Sequence, residues 1–397
     1  MFFSVFFASM ALNLSQQMSN SQLSLYAKSL STPADQIGTL MSMFAITALI
    51  FRFVSGPAIN AFNRKALLAM GMGFMATAYF GFSQAPKIAA VIGVDTIKVL
   101  YAFRLIQGVG NAFGNSCCMT MVADVLPKEK LTTGMGYFAC AQVVSQSIGP
   151  TVGVYLTKWL DFSGTYIVVG CFMLAAILFA TSTVKLAPRT PKPFNLKLTN
   201  MVCKEALVPA ITTFFVAMGF TSINAFLLVY ATERGVPEEQ ASLFFTVYSL
   251  SMLVTRPMVG KLTDKYGFVK VGPIAVLATA ASLMIIGLAD NIVVLLIAAV
   301  INSCGYGAAQ PALQSLCMKS VPAERRGSAS GTYYIGMDSA TIIGPSICGI
   351  VASTFGYSFA MWAVMAIPCV VSAVFIIVCR ARINKIESDF IARNAAK

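Results

Sequence analysis

The sequence predicts an all-α membrane protein with twelve transmembrane helices arranged as two pseudo-symmetric six-helix bundles. Three observations predict it: 57% of the 397 residues are apolar and 11% are charged, the apolar residues form twelve long runs, and the second half of the chain repeats the first. Soluble domains contain about 45–50% apolar and about 25% charged residues. The composition therefore excludes a water-soluble globular protein.

Twelve apolar runs, each long enough to cross a bilayer, are separated by short polar breaks. Helices are predicted because every backbone N–H and C=O must be paired within its own segment in lipid. We number the runs as spans 1 to 12 in chain order, and they cover residues 2–27, 36–61, 66–85, 94–123, 132–156, 164–184, 206–231, 239–262, 268–289, 292–318, 328–353 and 356–379.

Basic residues are distributed unequally between the two sides of the predicted bundle. One side receives twenty-two of the 28 Lys and Arg residues, in connections, tails and span ends, the other side receives five, and Arg104 lies inside a span. Cytoplasmic loops carry an excess of Lys and Arg. We therefore predict a multi-pass protein of the inner (plasma) membrane with both termini in the cytoplasm.

The longest connection, residues 185–204, carries five basic residues, three prolines and no acid. This composition is typical of a linker that lies against anionic lipid headgroups. It separates an N-terminal bundle (1–184) from a C-terminal bundle (205–379), which a cytoplasmic tail (380–397) follows. Because Met1 leads into an apolar run without preceding basic residues, we expect the native chain to start upstream of it.

The two halves of the chain repeat one another. An offset of 204 residues aligns Asn20, Tyr26, Ala27, Arg52 and Gly56 with Asn224, Tyr230, Ala231, Arg256 and Gly260. An offset of 195 aligns Pro127, Glu129, Lys130, Gly136, Gly149 and Pro150 with Pro322, Glu324, Arg325, Gly331, Gly344 and Pro345. We expect the extra nine residues of the first half in an external loop around residues 91–98. Duplicated six-helix units in parallel orientation are typical of transporters whose halves rock about a midplane site.

The connection between spans 8 and 9 contains a repeated loop motif, with Gly260, Asp264 and Gly267 between Arg256 and Lys270. Its tight turn needs glycine, and its acid can cap the next helix and pair with nearby cations. In the first-half copy Asn60 stands at the position of the acid and Asn63 at that of the second glycine. Asparagine can still cap a helix, whereas we expect the charge pair to be lost in this half.

Two further motifs lie within spans. Span 4 contains Arg104, Gln107, Gly108 and Gly110, and span 5 contains Gly136, Ser145, Gly149, Pro150 and Gly153. In span 5 the small residues one turn apart permit close helix packing, and the proline removes a backbone hydrogen bond.

With these motifs the chain resembles the major facilitator superfamily over its whole length. The loop after span 8 is similar to the family's GxLxDRxGR-type loop, and the span 4 motif is similar to the RxxQGxG motif of proton-coupled members. The span 5 motif resembles the antiporter signature, with Ser145 and Val154 in place of two glycines. The resemblance implies the twelve-helix transporter fold, alternating access and export rather than import.

Arg104 and Asp338 are ionisable residues inside spans, and we predict that they couple transport to protons. A charged side chain within a span is costly unless it is paired or hydrated. Asp338 is the carboxylate near the middle of a span, and the chain contains no histidine, so it is the conspicuous proton acceptor. Structural alternatives stay open: a clamp between Arg104 and carbonyls or polar groups of span 1, and a fixed ion pair or a hydrogen-bonded neutral acid at Asp338.

Uncharged polar side chains on spans 1, 4, 7 and 10 are predicted to line a substrate cavity. Those of span 1 recur at helical spacing on an otherwise apolar helix. Hydrogen bonding between helices is the alternative. The predicted substrate-binding residues are Asn13, Gln16, Gln17, Asn20, Gln107, Thr221, Asn224, Tyr230, Asn302, Tyr306 and Gln310.

A predicted gating set follows the two loop motifs, the span 5 signature and its repeat in span 11. Asp124 belongs to it because it follows span 4 and can pair with Arg64 or Lys270, although solvated loop charge is the alternative. The predicted gating residues are Arg52, Gly56, Asn60, Arg64, Asp124, Gly149, Pro150, Gly153, Arg256, Gly260, Asp264, Gly267, Lys270, Gly344 and Pro345.

Several function classes are disfavoured. The net charge of +13 is spread singly along the chain and forms no basic stripe with interleaved aromatics, so no nucleic-acid partner is expected. The ten cysteines form no CxxC pair, so neither a metal site nor another cofactor is expected. A membrane enzyme or receptor is disfavoured because no nucleophile has a convincing base.

We therefore expect a secondary active transporter that functions as a monomer in the lipid bilayer and exports a small organic compound in exchange for protons. The compound is drug-like or resembles a metabolite or sugar. The alternative is a facilitator or proton symporter that imports a small polar metabolite.

Overall fold

The computed structural model of the chain describes residues 2–32, 34–183, 194–196 and 201–395. These residues form helices with short connections and contain no β-strand. Most of the predicted linker 185–204 lies outside the described residues. In chain order the helices are α1 (Phe2–Ser29), α2 (Ala34–Ala61), α3 (Arg64–Ile92), α4 (Thr96–Val125), α5 (Leu131–Thr183), α6 (Leu207–Glu233), α7 (Glu238–Tyr266), α8 (Phe268–Gly287), α9 (Ile292–Asn302), α10 (Ala308–Lys319), α11 (Arg326–Phe359), α12 (Ala366–Val378) and α13 (Arg380–Ala395).

The predicted all-α architecture with twelve spans is confirmed. Within the described residues, eight helical stretches are long and apolar enough to cross a membrane by length and composition. Two of them, Lys128–Ser182 and Ala323–Val378, contain two spans each. With α1 and α4, which correspond to spans 1 and 4, they make up the twelve.

Some spans differ from single regular helices. Spans 5 and 6 are continuous in α5, where Asp161 (φ 59°) interrupts the helical geometry, and Gly356 (φ 83°) interrupts α11 between spans 11 and 12. Span 10 consists of α9 and α10 joined by the π-helical turn Ser303–Gly307. A second π-helical turn, Ala360–Val364, joins α11 to α12.

Large apolar side chains cover the outside of the helices. Leu178, Val254, Ile274, Ile350 and Val378 are each at least 68% exposed. Such a surface is unfavourable in water but matches lipid tails, which are as apolar as leucine. Apolar residues on both faces of a helix therefore indicate a lipid-facing side as well as a packed one.

The repeat extends to helix lengths except in one place. α3 has 29 residues, whereas its counterpart α8 has 20. The nine extra residues of the first half therefore lengthen α3, and the prediction that they form a loop around residues 91–98 is wrong. Helix-compatible residues follow Pro86, and the helix ends at Gly93, whose φ of 76° favours glycine.

The chain forms two compact units. Unit 1 comprises Met1–Val125, Ala141–Met201 and Arg326–Gly331, and unit 2 comprises Leu126–Cys140, Val202–Arg325 and Thr332–Lys397. Each unit thus contains the first turns of a helix whose remainder belongs to the other: the start of α11 in unit 1 and the start of α5 in unit 2. The predicted domain limits follow the sequence repeat and stay a prediction.

The segment predicted as a tail contains a packed helix, α13. Its side chains Ile383, Ile386 and Phe390 are buried. Their spacing of three and four residues places them on one face, as in an amphipathic helix. α13 is therefore part of the packed structure of unit 2.

Candidate functional site

A buried polar cluster surrounds Arg104 in unit 1. Its Nη1 donates to the Oδ1 of Asn20 at 3.0 Å and to the Oε1 of Gln107 at 2.5 Å. Its Nη2 lies 4.0 Å from the sulfur of Met41, and the Cζ of Arg104 lies 4.6 Å from the ring centroid of Phe44. The structure therefore brings together three predicted site residues from spans 1 and 4.

Arg104 is 2% exposed, and no ion pair among the described residues includes it. A charge in a span costs about 2.5–3.5 kcal/mol on insertion scales, and the two amide oxygens offset part of that cost. The Gln107 amide is itself oriented by donating to the Tyr79 hydroxyl at 3.4 Å. The hydrogen bond to Asn20 matches the structural alternative, in which Arg104 binds a polar group of span 1. The proton-coupling role of Arg104 stays a prediction.

The other predicted residues of α1 do not join this cluster. Asn13 donates to the backbone carbonyl of Ser9 at 2.7 Å, within its own helix. Gln16 and Gln17 are half-buried. Their substrate-binding role stays a prediction.

In unit 2, two predicted residues of span 10 lie at the π-helical turn. Asn302 and Tyr306 are buried, and neither the Asn302 amide nor the Tyr306 hydroxyl has a hydrogen-bond partner in the part of the chain that the structure describes. The ring of Tyr306 stacks on Phe220 with 4.2 Å between centroids. Buried polar groups normally have partners, and π-helical turns often occur at functional sites. Both features are compatible with ligand contact.

The remaining predicted substrate residues of unit 2 are mostly engaged in hydrogen bonds. Gln310 accepts from Arg256 at 2.9 Å, and the hydroxyls of Tyr230 and Thr221 donate to backbone carbonyls. Asn224 is exposed. For the first three, the contacts match the alternative of hydrogen bonding within the bundle.

Asp338 lies in α11 and belongs to unit 2. Its side chain is half-buried. That environment is compatible with exchange of a proton and with a structural acid, so its role stays a prediction.

Cap site 1 consists of Asn60, Gly327 and Ser328, all in unit 1. The Oδ1 of Asn60 accepts from the N–H of Gly327 at 2.8 Å, and its Nδ2 donates to the Ser328 hydroxyl at 2.7 Å. Gly56 permits this approach, because a Cβ there would lie 3.1 Å from the Ser328 Cα. Asn60 therefore caps the first turn of α11, whereas the next helix, α3, is capped by Asn63 and not by Asn60 as expected.

At the acid position of the loop motif Asn60 carries no charge, but unit 1 has an ion-pair cluster at another acid, Asp124, which includes the predicted partner Arg64. Asp124, at the end of α4, pairs with Arg64 and, at 2.7 Å, with Arg326. The three side chains are 16%, 2% and 10% exposed respectively, so Asp124 is not a solvated loop charge. Asp124 lies at the end of α4, whereas Asn60 lies in α2, and both arginines bind the Asp124 carboxylate.

Cap site 2 consists of Asp264, Thr132 and Thr133, all in unit 2. The Asp264 carboxylate accepts from the backbone N–H groups of Thr132 and Thr133 at 3.2 and 2.8 Å, and from the Thr133 hydroxyl at 2.8 Å. The Nζ of Lys319 lies 3.4 Å from the carboxylate and donates to the Thr132 hydroxyl at 2.9 Å. A carboxylate at the start of α5 is stabilised by the unpaired N–H groups and by the helix dipole.

Arg52 and Arg256 occupy repeat-related positions, and both are buried. The Nη1 of Arg52 donates to the carbonyl of Ala112 at 2.7 Å, and the Nε of Arg256 donates to the carbonyl of Gly307 at 2.8 Å. Each arginine thus ties helices together within its own unit. Their gating role stays a prediction.

The small residues of the span 5 signature lie against α1 within unit 1. A Cβ on Gly149 would lie 2.7 Å from the Cβ of Gln17, and one on Gly153 would also meet α1. The repeat-related Gly344 is equally close to α6, with 2.7 Å to the carbonyl oxygen of Met218. These glycines therefore permit close helix approach.

The other predicted gating residues are less closely packed or serve the backbone. Pro150 and Pro345 lie inside α5 and α11, and Lys270 is exposed near the start of α8. Gly260 allows the approach to cap site 2, where a Cβ would lie 2.9 Å from the Thr133 Cα. Gly267 ends α7 with a φ of 83°, which favours glycine.

Three charged residues contribute to these sites although the prediction omitted them: Arg326, Lys319 and Glu387. Arg326 and Lys319 fall in predicted loops but are buried in ion pairs. Glu387 of α13 accepts the N–H of Phe268 at 3.0 Å. The 195-residue offset aligns Asp124 with Lys319, so the charge inversion is readable in the sequence, whereas the contact of α13 with α8 is not.

Comparison with known proteins decides the family. The model of the Major Facilitator Superfamily matches residues 1–203 and 209–395. The chain belongs to this superfamily. Its members are transporters of small molecules and not enzymes, so this Major Facilitator Superfamily protein is a multi-pass membrane transporter.

Individual similarities agree with that assignment. The class H tetracycline resistance protein of Pasteurella multocida is 25% identical over 342 residues, which cover 83% of this chain and 82% of that protein. A multi-drug resistance efflux pump PmrA homolog of Lactococcus lactis is 22% identical over 330 residues, covering 79% of each chain. A crystal structure of a bacterial homologue of the iron transporter ferroportin superposes with a TM-score of 0.81 at 13% identity, covering 96% and 99%.

Proposed function

We propose that the protein is a secondary exporter that moves a small organic compound out of the cell in exchange for protons. Membership of the superfamily supports secondary transport by alternating access. Relatives named for tetracycline resistance and multidrug efflux support a drug-like compound. The observation that carries the proposal is the buried Arg104 held by Asn20 and Gln107, because it lies in a motif similar to that of proton-coupled members.

Proton coupling is assigned to Asp338, with Arg104 as a fixed positive charge in the other unit. A half-buried carboxyl group within a span changes its proton affinity when its surroundings change between access states. The neutral form is favoured where water is excluded, and the ionised form where water enters. The acid can therefore load on one side of the membrane and release on the other.

The two cap sites are assigned to closure of the basic end of the bundle, which we place in the cytoplasm on the distribution of Lys and Arg. Each cap site joins a loop-motif residue to the first turn of α5 or α11. In cap site 2, each hydrogen bond to the Asp264 carboxylate contributes about 1.5–3 kcal/mol, and the binding free energy of a ligand or a proton can offset that amount. The test is a reporter enzyme, fused after residue 395, that is active only outside the cell. Activity of this reporter contradicts the cytoplasmic orientation.

Transport in everted membrane vesicles tests the function. Tetracycline or a cationic dye is added to acidified vesicles, and proton release is followed with a pH-sensitive fluorophore. We expect release that depends on the expressed protein. If labelled compounds are taken up but no compound of a panel causes proton release, the antiport is contradicted.

Asp338→Asn separates the proton carrier from the structural acid. We expect this variant to lose transport driven by a pH gradient but to retain folded protein and substrate counterflow. The matched control is Asp389→Asn, because Asp389 is exposed on α13. Wild-type pH dependence in the Asp338 variant contradicts its assignment, and loss of folded protein indicates the structural acid.

The second candidate is a facilitator or proton symporter that imports a polar metabolite. The half-buried amides Asn13, Gln16 and Gln17 on α1 favour it. Proteoliposomes with a pH gradient of either direction distinguish the candidates. An exporter moves substrate against the proton flow, a symporter moves it with the flow, and a facilitator does not respond.

A further inference from the structure

Arg104 is a buried cation without an ion pair among the described residues, and its hydrogen bonding is incomplete. A guanidinium carries five N–H groups: two on Nη1, two on Nη2 and one on Nε. Both acceptors with oxygen, Asn20 and Gln107, bind Nη1. Among the described residues, Nη2 contacts only the sulfur of Met41 at 4.0 Å, and Nε is buried without a hydrogen-bond partner.

Arg256, equally buried in unit 2, shows what a completed site looks like. Its Nε donates to the carbonyl of Gly307 at 2.8 Å, its Nη1 to the carbonyl of Ala139, and its Nη2 to Gln310 at 2.9 Å. Every nitrogen of Arg256 therefore faces an oxygen. The contrast shows that burial in this protein does not by itself leave an arginine edge without acceptors.

The Nε and Nη2 edge of Arg104 has a defined chemistry. The N–H of Nε and one N–H of Nη2 run parallel and match the two oxygens of a carboxylate, which gives a bidentate, charge-assisted contact. The fixed Nη1 bonds and the Phe44 ring hold the guanidinium plane in place. Met41 lies at this edge and has a flexible side chain that can move aside.

We propose that the Nε and Nη2 edge of Arg104 binds an anionic group, a carboxylate, of the transported compound. The inference rests on the proposed function and names the substrate class: organic anions with an apolar or aromatic body beside Phe44. The bound anion supplies the counter-charge that no ion pair of the described residues gives Arg104.

Binding to the purified full-length protein in detergent tests the site without any transport measurement. The probes are benzoate, the uncharged benzamide of the same shape, and chloride, each at constant ionic strength. Thermal unfolding reports binding, because a ligand that binds only the folded protein raises the unfolding midpoint with concentration. We expect benzoate to raise the midpoint and benzamide and chloride to leave it unchanged.

Variants locate the binding. Arg104→Lys should weaken the benzoate effect at least tenfold, because lysine offers a point charge instead of two parallel donors, and Arg104→Gln should abolish it. If these variants fold poorly, Gln107→Glu gives Arg104 an internal carboxylate and should abolish the effect in a well-folded protein. Arg380→Gln, at an exposed residue of α13, is the matched control and should bind like wild type.

Three results overturn the inference: an equal response to benzamide, a response to chloride that reproduces that of benzoate, or a wild-type response in Gln107→Glu. Its failure differs from failure of the proposed function. Proton release on addition of neutral or cationic compounds without benzoate binding rejects only the anion site. Benzoate binding with no proton release for any compound rejects only the antiport.

Discussion

The two cap sites solve the same structural problem with different charges. In unit 1 a neutral amide, Asn60, binds the first turn of α11, and in unit 2 a carboxylate, Asp264, binds the first turn of α5. The 195-residue offset aligns their partners Gly327 and Ser328 with Thr132 and Thr133. The hydrogen-bond geometry is thus preserved between the units although the charge of the capping residue is not.

The charge is redistributed at the neighbouring helix end. The end of α4 carries Asp124, whereas the aligned position at the end of α10 carries Lys319. Asp124 binds two arginines, and Lys319 binds the acid of its own cap site. Each cluster therefore contains one carboxylate. In unit 1 it stands at the helix end (Asp124), and in unit 2 it is the capping residue (Asp264). The two halves thus share local ion pairing rather than individual charged positions.

The start of the following helix shows a third difference. Asn63 caps α3 with its own side chain, which accepts from the N–H of Lys65 at 2.9 Å. The aligned residue, Gly267, has no side chain, and Glu387 of α13 supplies the acceptor for the N–H of Phe268. Unit 2 thus uses its C-terminal helix for a task that unit 1 performs locally.

Removal of Asp124 should have the largest effect. Asp124→Ala leaves Arg64 and Arg326 without the carboxylate that both bind, and loss of one partner of a buried pair costs about 3–5 kcal/mol. We expect a large fall in the thermal unfolding midpoint of purified protein and loss of efflux. Glu129→Ala, at an exposed residue of the adjacent turn, is the control. Equal midpoints for both variants contradict the ion-pair cluster.

Asp264→Asn makes cap site 2 resemble cap site 1 and should have an intermediate effect. The amide oxygen can still accept an N–H, but Lys319 loses its ion-pair partner, at a cost of about 1–3 kcal/mol. A double-mutant cycle with Lys319→Met isolates the pair. We expect the second substitution to restore part of the unfolding midpoint. Additive losses indicate that the two side chains do not interact energetically.

Asn60→Asp makes the reverse change and should stabilise unit 1 modestly. A carboxylate at the start of α11 gains about 0.3–1 kcal/mol from the helix terminus, and Ser328 can donate to it as Thr133 does to Asp264. We expect a higher unfolding midpoint at low salt and a smaller gain at high salt. A lower midpoint at both salt concentrations shows that the amide is needed as a donor to Ser328.

Glu387→Gln should have the smallest effect. Glutamine keeps an acceptor for the N–H of Phe268 but loses the charge at the start of α8, worth about 0.3–1 kcal/mol. Glu387→Ala also loses the acceptor and should cost about 1 kcal/mol. Asp389→Asn on the same helix is the control. No difference between the glutamine and alanine variants contradicts capping of α8 by α13.

The sequence predicts the architecture well because lipid imposes strong local rules. Apolar runs of about 20 residues must be helical in a bilayer, and all twelve predicted spans are helical in the described residues. The repeat also aligns Arg52 with Arg256, and the structure buries both side chains. The sequence did not predict that the nine extra residues of the first half lengthen α3, because helix propensity after Pro86 is too weak a signal to separate a longer helix from a loop.

Residue roles are less predictable, because they depend on contacts between distant parts of the chain. The sequence places Arg104 and Gln107 on one helix. Only the folded structure shows that Asn20 binds the same nitrogen of the guanidinium as Gln107, and that the opposite edge has no oxygen acceptor within the part of the chain that the structure describes. Similarly, Arg326 reads as loop charge until its distance to Asp124 is known.

The sequence by itself determined the membrane setting, the helical class, the duplication and the motifs that identify the superfamily, since these follow from composition, segment length and local spacing. Tertiary structure alone decided which charges are paired and which are buried without a counter-ion. The physical reason is that ion pairing and desolvation depend on separations of a few ångströms between helices, and helix spacing is not encoded in the order of residues along any one of them.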